Sequence, residues 1–228
     1  TLPTTSSVYL DLNNASIKIT ALDGVLVVSM DQAVAAPFCA SRLADAGARV
    51  IKVERKGGDF ARDYDRVAIG QSAFFVWLNR GKESLELDIK SPEDVALLER
   101  MRVRADVSLQ NLAPGSIGRI GLTPERLQAL NPRLITCSIS GYGEEGPYAE
   151  MKAYDLLVQA ETGLASITGT PDAPGRVGVS ICDIASGMYA HTAILEALYE
   201  RERTGLGTHI QVSMFDALSD WMTVPLLY

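Results

Sequence analysis

The spacing of apolar residues changes period repeatedly along the chain, and each change marks an element. The apolar run at 25–28 reads as a short buried strand, and the stretches at 50–54, 105–109 and 134–139 read as further strands. Stretches with helical spacing lie between them. Residues 37–47 predict a helix with Pro37 in its first turn and Gly47 at its end. Ser91-Pro92-Glu93-Asp94 opens another, with serine as N-cap, proline at N1 and acids in the first turn. Thr123-Pro124-Glu125 caps a third, closed by Asn131-Pro132. Residues 111–121 form a loop with a short turn, and a glycine-rich loop spans 141–147. Residues 79–90 lead from a loop into a strand, 207–214 give a further strand, and 216–222 start a helix. The aromatic run Phe74-Phe75-Val76-Trp77 is assigned to the core. Strand and helix alternate throughout, the pattern of an α/β protein with a doubly wound, Rossmann-like, mostly parallel sheet and right-handed crossovers.

Three segments follow. Residues 1–20 are an N-terminal extension, either an edge strand at Ile17 and Ile19 or partly disordered. Residues 21–215 make one large domain, and 216–228 begin a linker to a small second domain. The chain stops at Pro225-Leu226-Leu227-Tyr228 without a polar tail, as part of a longer protein would.

The stretch 177–203 organises the chemistry. Val177, Val179 and Ile181 alternate as in a strand. From Ile184 the spacing is helical as far as Gly205, a C-cap glycine. Asp183 falls at the join. One reading makes it an N-cap, accepting bonds from free N–H groups. The other makes it a nucleophile, kept ionised by the helix N-terminus and placed beyond the carboxyl ends of the strands, where open α/β sheets bind ligands.

Composition narrows the field. A net charge of −7 over 228 residues argues against nucleic acid or an anionic membrane as the main partner, though a local basic site for a phosphorylated ligand is compatible with it. No apolar run reaches membrane-spanning length and no signal peptide is visible. Cys39, Cys137 and Cys182 are odd in number and far apart, and His191 and His209 lack ligand spacing, so no metal site is expected. Free thiols suit the cytoplasm, with the mitochondrial matrix as alternative. His191 is expected to be packed and His209 to start a strand. The first βα turn reads S-M-D-Q-A-V-A-A-P, without G-x-G-x-x-G, which counts against a dinucleotide enzyme.

Five stretches in this order resemble the class III CoA-transferases (formyl-CoA transferase and carnitine-CoA transferase-like), relatives of the α-methylacyl-CoA racemases. They are A-A-P-F-C-A-S-R-L-A-D-A-G-A-R-V-I-K-V-E-R (35–55), N-R-G-K-E-S-L-E-L-D (79–88), A-D-V-S-L-Q-N-L-A-P-G (105–115), L-N-P-R-L-I-T-C-S-I-S-G-Y-G (130–143) and C-D-I-A-S-G-M (182–188). The resemblance implies a nucleophilic Asp183, which passes through an acyl-aspartyl anhydride and an aspartyl-CoA thioester, with oxyanion donors supplied partly by its own helix start. It implies coenzyme A contacts at Ala33, Val34 and Ala35 for the adenine and pantetheine, and at Arg55 near the adenosine phosphate. It adds Leu87 and Lys90 flanking the adenine, Asn111, Leu112 and Arg119 along the phosphates, and Lys152. Arg62 and Lys56 are read as solvated surface charges. Tyr154 and Asp155 match a dipeptide close to the nucleophile, which is His-Asp in the racemases. Tyrosine is a poor base at neutral pH.

The sequence departs from the family pattern at Ser140, where a lysine is usual before G-Y-G. The resemblance also implies an interlocked homodimer and a glycine-rich lid that would lie beyond Tyr228, so residues 1–228 alone are not expected to work as an enzyme. The substrates implied are an acyl-CoA and a free carboxylic acid, such as a small dicarboxylate. A racemase, or a CoA-binding domain without activity, are the competing readings.

Overall fold

The computed structural model describes residues 20–228, so the reading of an edge strand at Ile17 and Ile19 lies outside the described residues. The first half runs β1 (Leu26–Met30), α1 (Ala35–Asp45), β2 (Arg49–Glu54), a 3-10 turn (Phe60–Asp63), α2 (Ala73–Asn79), β3 (Lys82–Glu86), α3 (Pro92–Arg104) and β4 (Val107–Gln110). Then come α4 (Ser116–Arg119), α5 (Pro124–Leu130), β5 (Ile135–Ser140), α6 (Asp155–Glu161), α7 (Leu164–Ile167) and the two-residue strands β6 (Gly169–Thr170) and β7 (Ala173–Pro174). The long helix α8 (Ile181–Thr204) leads to β8 (His209–Ser213), α9 (Met214–Trp221) and α10 (Thr223–Leu226).

Six parallel strands form the sheet, in the order β3-β2-β1-β4-β5-β8. The order reverses between β1 and β4, and such a switch point opens a crevice at the carboxyl ends of the strands. Alternation along the strands builds a core on each face. Val27, Val107, Leu109, Ile135 and Cys137 pack against α1 and α8. Val28, Met30 and Val53 face Leu98 of α3 and Leu127 of α5. Helices therefore cover both faces, as all-parallel sheets require. The caps follow the sequence reading: Ser91 accepts from the Asp94 N–H, and Thr123 from the Arg126 N–H.

Three expectations are corrected. Residues 177–180 form no strand, because β8 occupies the place beside β5. Val179 is 54% exposed, and the Val177 N–H bonds the Gln159 side chain at 2.8 Å instead of a neighbouring strand. The helix starts at Ile181, which puts Asp183 inside its first turn rather than at the cap. The aromatic run forms α2, where Leu78 is buried but Phe74 and Trp77 are 37% and 38% exposed. Its rings pack on each other and on Tyr64 and Phe38 rather than into the core. Arg62 is not merely solvated. Its guanidinium pairs with Glu54 at 2.7 Å and lies over the Phe75 ring.

Helix α1 crosses α8 at Gly187. A Cβ there would stand 2.7 Å from the Ala35 carbonyl oxygen and 3.0 Å from the Phe38 ring, so only glycine permits this separation. Gly187→Ala gains about 1 kcal/mol of helix propensity but forces apart a packed crossing, which costs about 1–3 kcal/mol. Chemical denaturation should show a net loss of about 1 kcal/mol, and a gain in stability would mean the helices can part freely.

Candidate active site

Strand β1 ends at Met30, and Asp31, Gln32 and Ala33 turn the chain into α1. Ala33 has φ +61°, the left-handed region that costs a residue with a Cβ about 1–2 kcal/mol. Asn111, just past β4, brackets this turn. Its Nδ2 donates to the Gln32 carbonyl and its Oδ1 accepts from the Gln32 N–H, both at 2.9 Å. The N-cap residue of α1, Val34, has no side chain to bond the first turn. The carboxyl of Asp183 lies at that open start, where the Ala35 N–H favours its ionised form. Gly187 lies one helical turn beyond Asp183 on α8, so the close crossing and this contact belong to one face of that helix.

Helix α8 has its own cap from elsewhere. Ser180 makes no side-chain cap bond. Instead Asp155, at the start of α6, accepts the N–H groups of Cys182 at 2.7 Å and Asp183 at 3.3 Å through Oδ2. Its Oδ1 accepts from the Gln159 amide at 2.5 Å. The oxyanion donors expected from the Asp183 helix start are therefore taken: Asp155 holds two, and the Ile184 N–H goes to the Ser180 carbonyl. The expectation that the helix N-terminus keeps Asp183 ionised is corrected too. Burial, and then the charge of Asp155, push the Asp183 carboxyl up to about 7, against the pull of the Ala35 N–H.

A cavity of about 860 Å³ lies over these groups. It gathers Ala33, Val34, Ala35, Asn111, Leu112, Lys152, Tyr154, Asp155 and Asp183. A smaller hollow of about 140 Å³ at the ends of β1, β2 and β3 holds Arg55 and Leu87, and it shares Gln32 and Leu112 with the large cavity. Lys90 and Arg119 line neither. Lys90 is exposed after β3. Arg119 is exposed on α4, bonded to Ser116 Oγ at 2.7 Å, while Ser116, Ile117 and Gly118 of that helix do reach the cavity. Tyr154 is 65% exposed at the rim. His191 is half-buried on α8, where burial and then Arg42 lower its pKa.

Sequence reasoning missed the wall formed by Phe60, Tyr64 and Phe74. Burial, followed by the charges of Asp59 and Asp183, raises the Tyr64 phenol to about 12, so it stays a donor at neutral pH. It also missed the short helices α6 and α7 and the hairpin of β6 and β7, each only two to seven residues long and too short to show a period. Within the described residues, no group of three or more His, Cys, Asp or Glu side chains is arranged to hold a metal ion, and no helix is long and apolar enough to cross a membrane.

Comparisons with known proteins identify the family and the fold. The acetyl-CoA:oxalate CoA-transferase of Acetobacter aceti is 46% identical over 197 residues, which are 85% of this chain and 51% of that protein. The succinate–glutarate CoA-transferase of Agrobacterium fabrum is 41% identical over 207 residues, covering 87% and 52% of the two chains. The chain thus spans about half the length of these curated relatives. The crystal structure of a CAIB/BAIF family protein from Brucella suis superposes with a TM-score of 0.87 at 40% identity, over 91% of this chain and 57% of that one. The model described as CoA-transferase family III matches residues 22–228. The chain belongs to CoA-transferase family III.

Proposed function

We propose that this chain carries the coenzyme A site and the nucleophile of an enzyme that moves CoA from an acyl-CoA to a free carboxylic acid. The observation that carries the reading is the carboxyl of Asp183, half-buried in the cavity wall at the N-terminus of α1. An Asp183 oxygen attacks the thioester carbonyl, and the C–S bond breaks to give a mixed anhydride and the CoA thiolate. The thiolate attacks the aspartyl carbonyl and expels the donor acid, which leaves an aspartyl-CoA thioester. The acceptor carboxylate attacks that thioester, and the thiolate then returns to the acceptor's acyl carbon and frees Asp183. A carboxylate suits the role because an anhydride keeps the activation of a thioester, which a serine ester would lose.

The two hollows divide the CoA sensibly. The smaller one, with Leu87 on its floor and Arg55 at its edge, has the position of an adenine pocket with a cation for the adenosine phosphate. Asn111, Leu112 and the α4 loop would follow the pyrophosphate, with Arg119, Lys90 and Lys152 as cations at the rim. Ala33, Val34 and Ala35 would line the path of the pantetheine to Asp183. A small dicarboxylate is the proposed acid, since the two relatives above are named for oxalate and for succinate and glutarate. Tyr154 stands where a racemase would present a histidine, and its exposed phenol is ill suited to remove an α-proton. Buried, unpaired cysteines fit a reducing compartment such as the cytoplasm. The full-length protein is proposed to pair with a second copy, whose contacts would cover the apolar end at Trp221, Val224, Leu226 and Leu227.

Three measurements test this. In the full-length protein, Asp183→Ala should lower thioester exchange by about three orders of magnitude or more, and a variant keeping a few per cent of wild-type activity would rule out the nucleophile. A 2-methylacyl-CoA incubated in deuterated water should gain no deuterium at its α-carbon at a catalytic rate, and gain at such a rate would favour racemisation. Stability offers an independent reading of the Asp183 charge. Its carboxyl titrates at 3.8 in the unfolded chain and at about 7 when folded. Between these values the folded state keeps a proton that the unfolded state has lost, so stability falls as pH rises through that window. Asp183→Asn, which is always neutral, should be more stable than wild type by up to roughly 4 kcal/mol above about pH 8, with little difference below about pH 4. Equal denaturation midpoints at both pH values would contradict the raised pKa.

A further inference from the structure

Beneath the turn at Ala33 lies a dry cluster of four charges that the nucleophile reading does not use. The side chains of Asp31, Lys52, Asp59 and Lys82 are 0%, 1%, 1% and 2% exposed. Lys52 bonds one oxygen of Asp31 and, at 2.9 Å, Asp59. Lys82 bonds the other oxygen of Asp31 at 3.0 Å, where Ser29 Oγ also donates at 2.8 Å. Two cations and two anions leave the cluster neutral. Burial alone would raise the Asp31 pKa, but Lys82 and Lys52 outweigh it and hold the carboxyl below its usual range. Burial would likewise discharge Lys52, but Asp31 and Asp59 outweigh that and hold it charged.

Such a cluster contributes little net stability, because desolvating the ions offsets their attraction and apolar side chains of similar volume often serve as well. Its other bonds show what it does hold. Lys52 Nζ donates to the Asp31 carbonyl at 2.8 Å. Asp59 Oδ1 accepts the Ala33 N–H at 3.3 Å and the Ala61 N–H at 3.0 Å. Lys82 Nζ donates to the Pro37 carbonyl at 3.1 Å. The backbone is gripped before the left-handed residue, at it, and in the first turn of α1 after it. Asn111 holds Gln32 from the other side. Two residues beyond Ala33, Ala35 lines the cavity together with Asp183, and its carbonyl lies 2.7 Å from where a Cβ on Gly187, one turn along α8 from Asp183, would stand.

We propose that Asp31, Lys52, Asp59 and Lys82, together with Asn111, are positioning residues for the transfer reaction, because their grip on the backbone from Asp31 to Pro37 fixes the first turn of α1 beside Asp183. This rests on Asp183 being the nucleophile. Lys52 and Lys82 line neither hollow, while Asp31 and Asp59 border the smaller one, away from Asp183; a shift of about 1 Å in such a support can cost about a hundredfold in rate. The ionisable groups facing Asp183 are Asp155 from α6, Tyr154 before it, Tyr64 after the 3-10 turn, and Cys182 on its own helix.

The test uses the full-length protein with two variants. The first, Asp59→Ala combined with Lys52→Met, removes one anion and one cation and keeps the cluster neutral. The second, Asn111→Ala, releases the opposite side of the turn and leaves the buried charges intact; because Asn111 is also proposed to follow the pyrophosphate, its KM for acyl-CoA is expected to rise as well, and its test is the acid limb of the pH profile, which a lost CoA contact would not move. Neither alters a group that faces Asp183. Thioester exchange is measured from about pH 5 to 9, with kcat and KM for acyl-CoA separated. The proposal expects kcat to fall about ten- to a hundredfold, KM of the double variant to change less, and the acid limb of the rate profile to move to higher pH. That direction follows because the lost N–H donor had favoured the ionised, reactive carboxylate. A merely structural role would lower the amount of folded enzyme without moving that limb. If either folded variant keeps kcat within twofold of wild type with an unmoved limb, the positioning role is overturned. Should the double variant not fold, Asn111→Ala decides alone. Asp183→Ala is the separate control, since activity surviving there would sink the nucleophile and not the bracket.

Discussion

The contact between α1 and α8 at Gly187 is the constraint on which the site depends. A missing side chain lets the two helices approach until the carbonyl of Ala35 lies where a Cβ would otherwise stand. One turn back along α8, the same approach brings the Asp183 carboxylate to the uncapped start of α1. Packing and charge thus come from one decision at one residue. The start of α8 would then be left open, and Asp155 closes it from α6. Two helix N-termini converge beside one cavity, each capped by an acid belonging to another element.

That arrangement sets two carboxylates close together in a poorly solvated place. Asp155 is supplied with three donors, and Asp183 has the Ala35 N–H. Burial and the charge of Asp155 raise the Asp183 carboxyl against that single donor. That rise explains why the site is unfavourable for the folded protein above neutrality. An acid that titrates near 7 instead of near 4 is held in its less comfortable state whenever it is ionised, and an ionised, poorly solvated carboxylate is a stronger nucleophile than a hydrated one.

The fold was legible because parallel strands buried on both faces carry short apolar runs, unbroken at 25–28 and interrupted only by small hydroxyl residues at 134–139. Capping chemistry at Ser91 and Thr123 was equally local and equally readable. The reading failed where the outcome depended on what lay alongside. Val177, Val179 and Ile181 have a strand's alternation, but β8 holds the neighbouring place in the sheet. Phe74 and Trp77 have the composition of a core, but they lie half-exposed on a short helix, where Phe74 reaches the cavity and Trp77 packs on it. Asp155 could be flagged as lying near Asp183 only through family resemblance, and nothing local says that it caps a helix 27 residues away. The clue that was present and unused lay inside the strands: Lys52 interrupts V-I-K-V-E and needs a buried anion, which Asp31 and Asp59 supply from outside that run.

The left-handed alanine at position 33 has a wider meaning for how this fold handles anions. Sheets of this strand order usually bind dinucleotides with a glycine turn, so that a pyrophosphate can rest directly on the first helix's N-terminus. Here a methyl group occupies the turn, and the positive end of α1 already faces a carboxylate that belongs to the protein. A phosphate seated there would meet both a steric and an electrostatic barrier. The helix dipole that elsewhere recognises a cofactor is turned inward, onto a side chain. Any phosphorylated ligand must lay its charges further along the crevice and approach α1 with an uncharged portion.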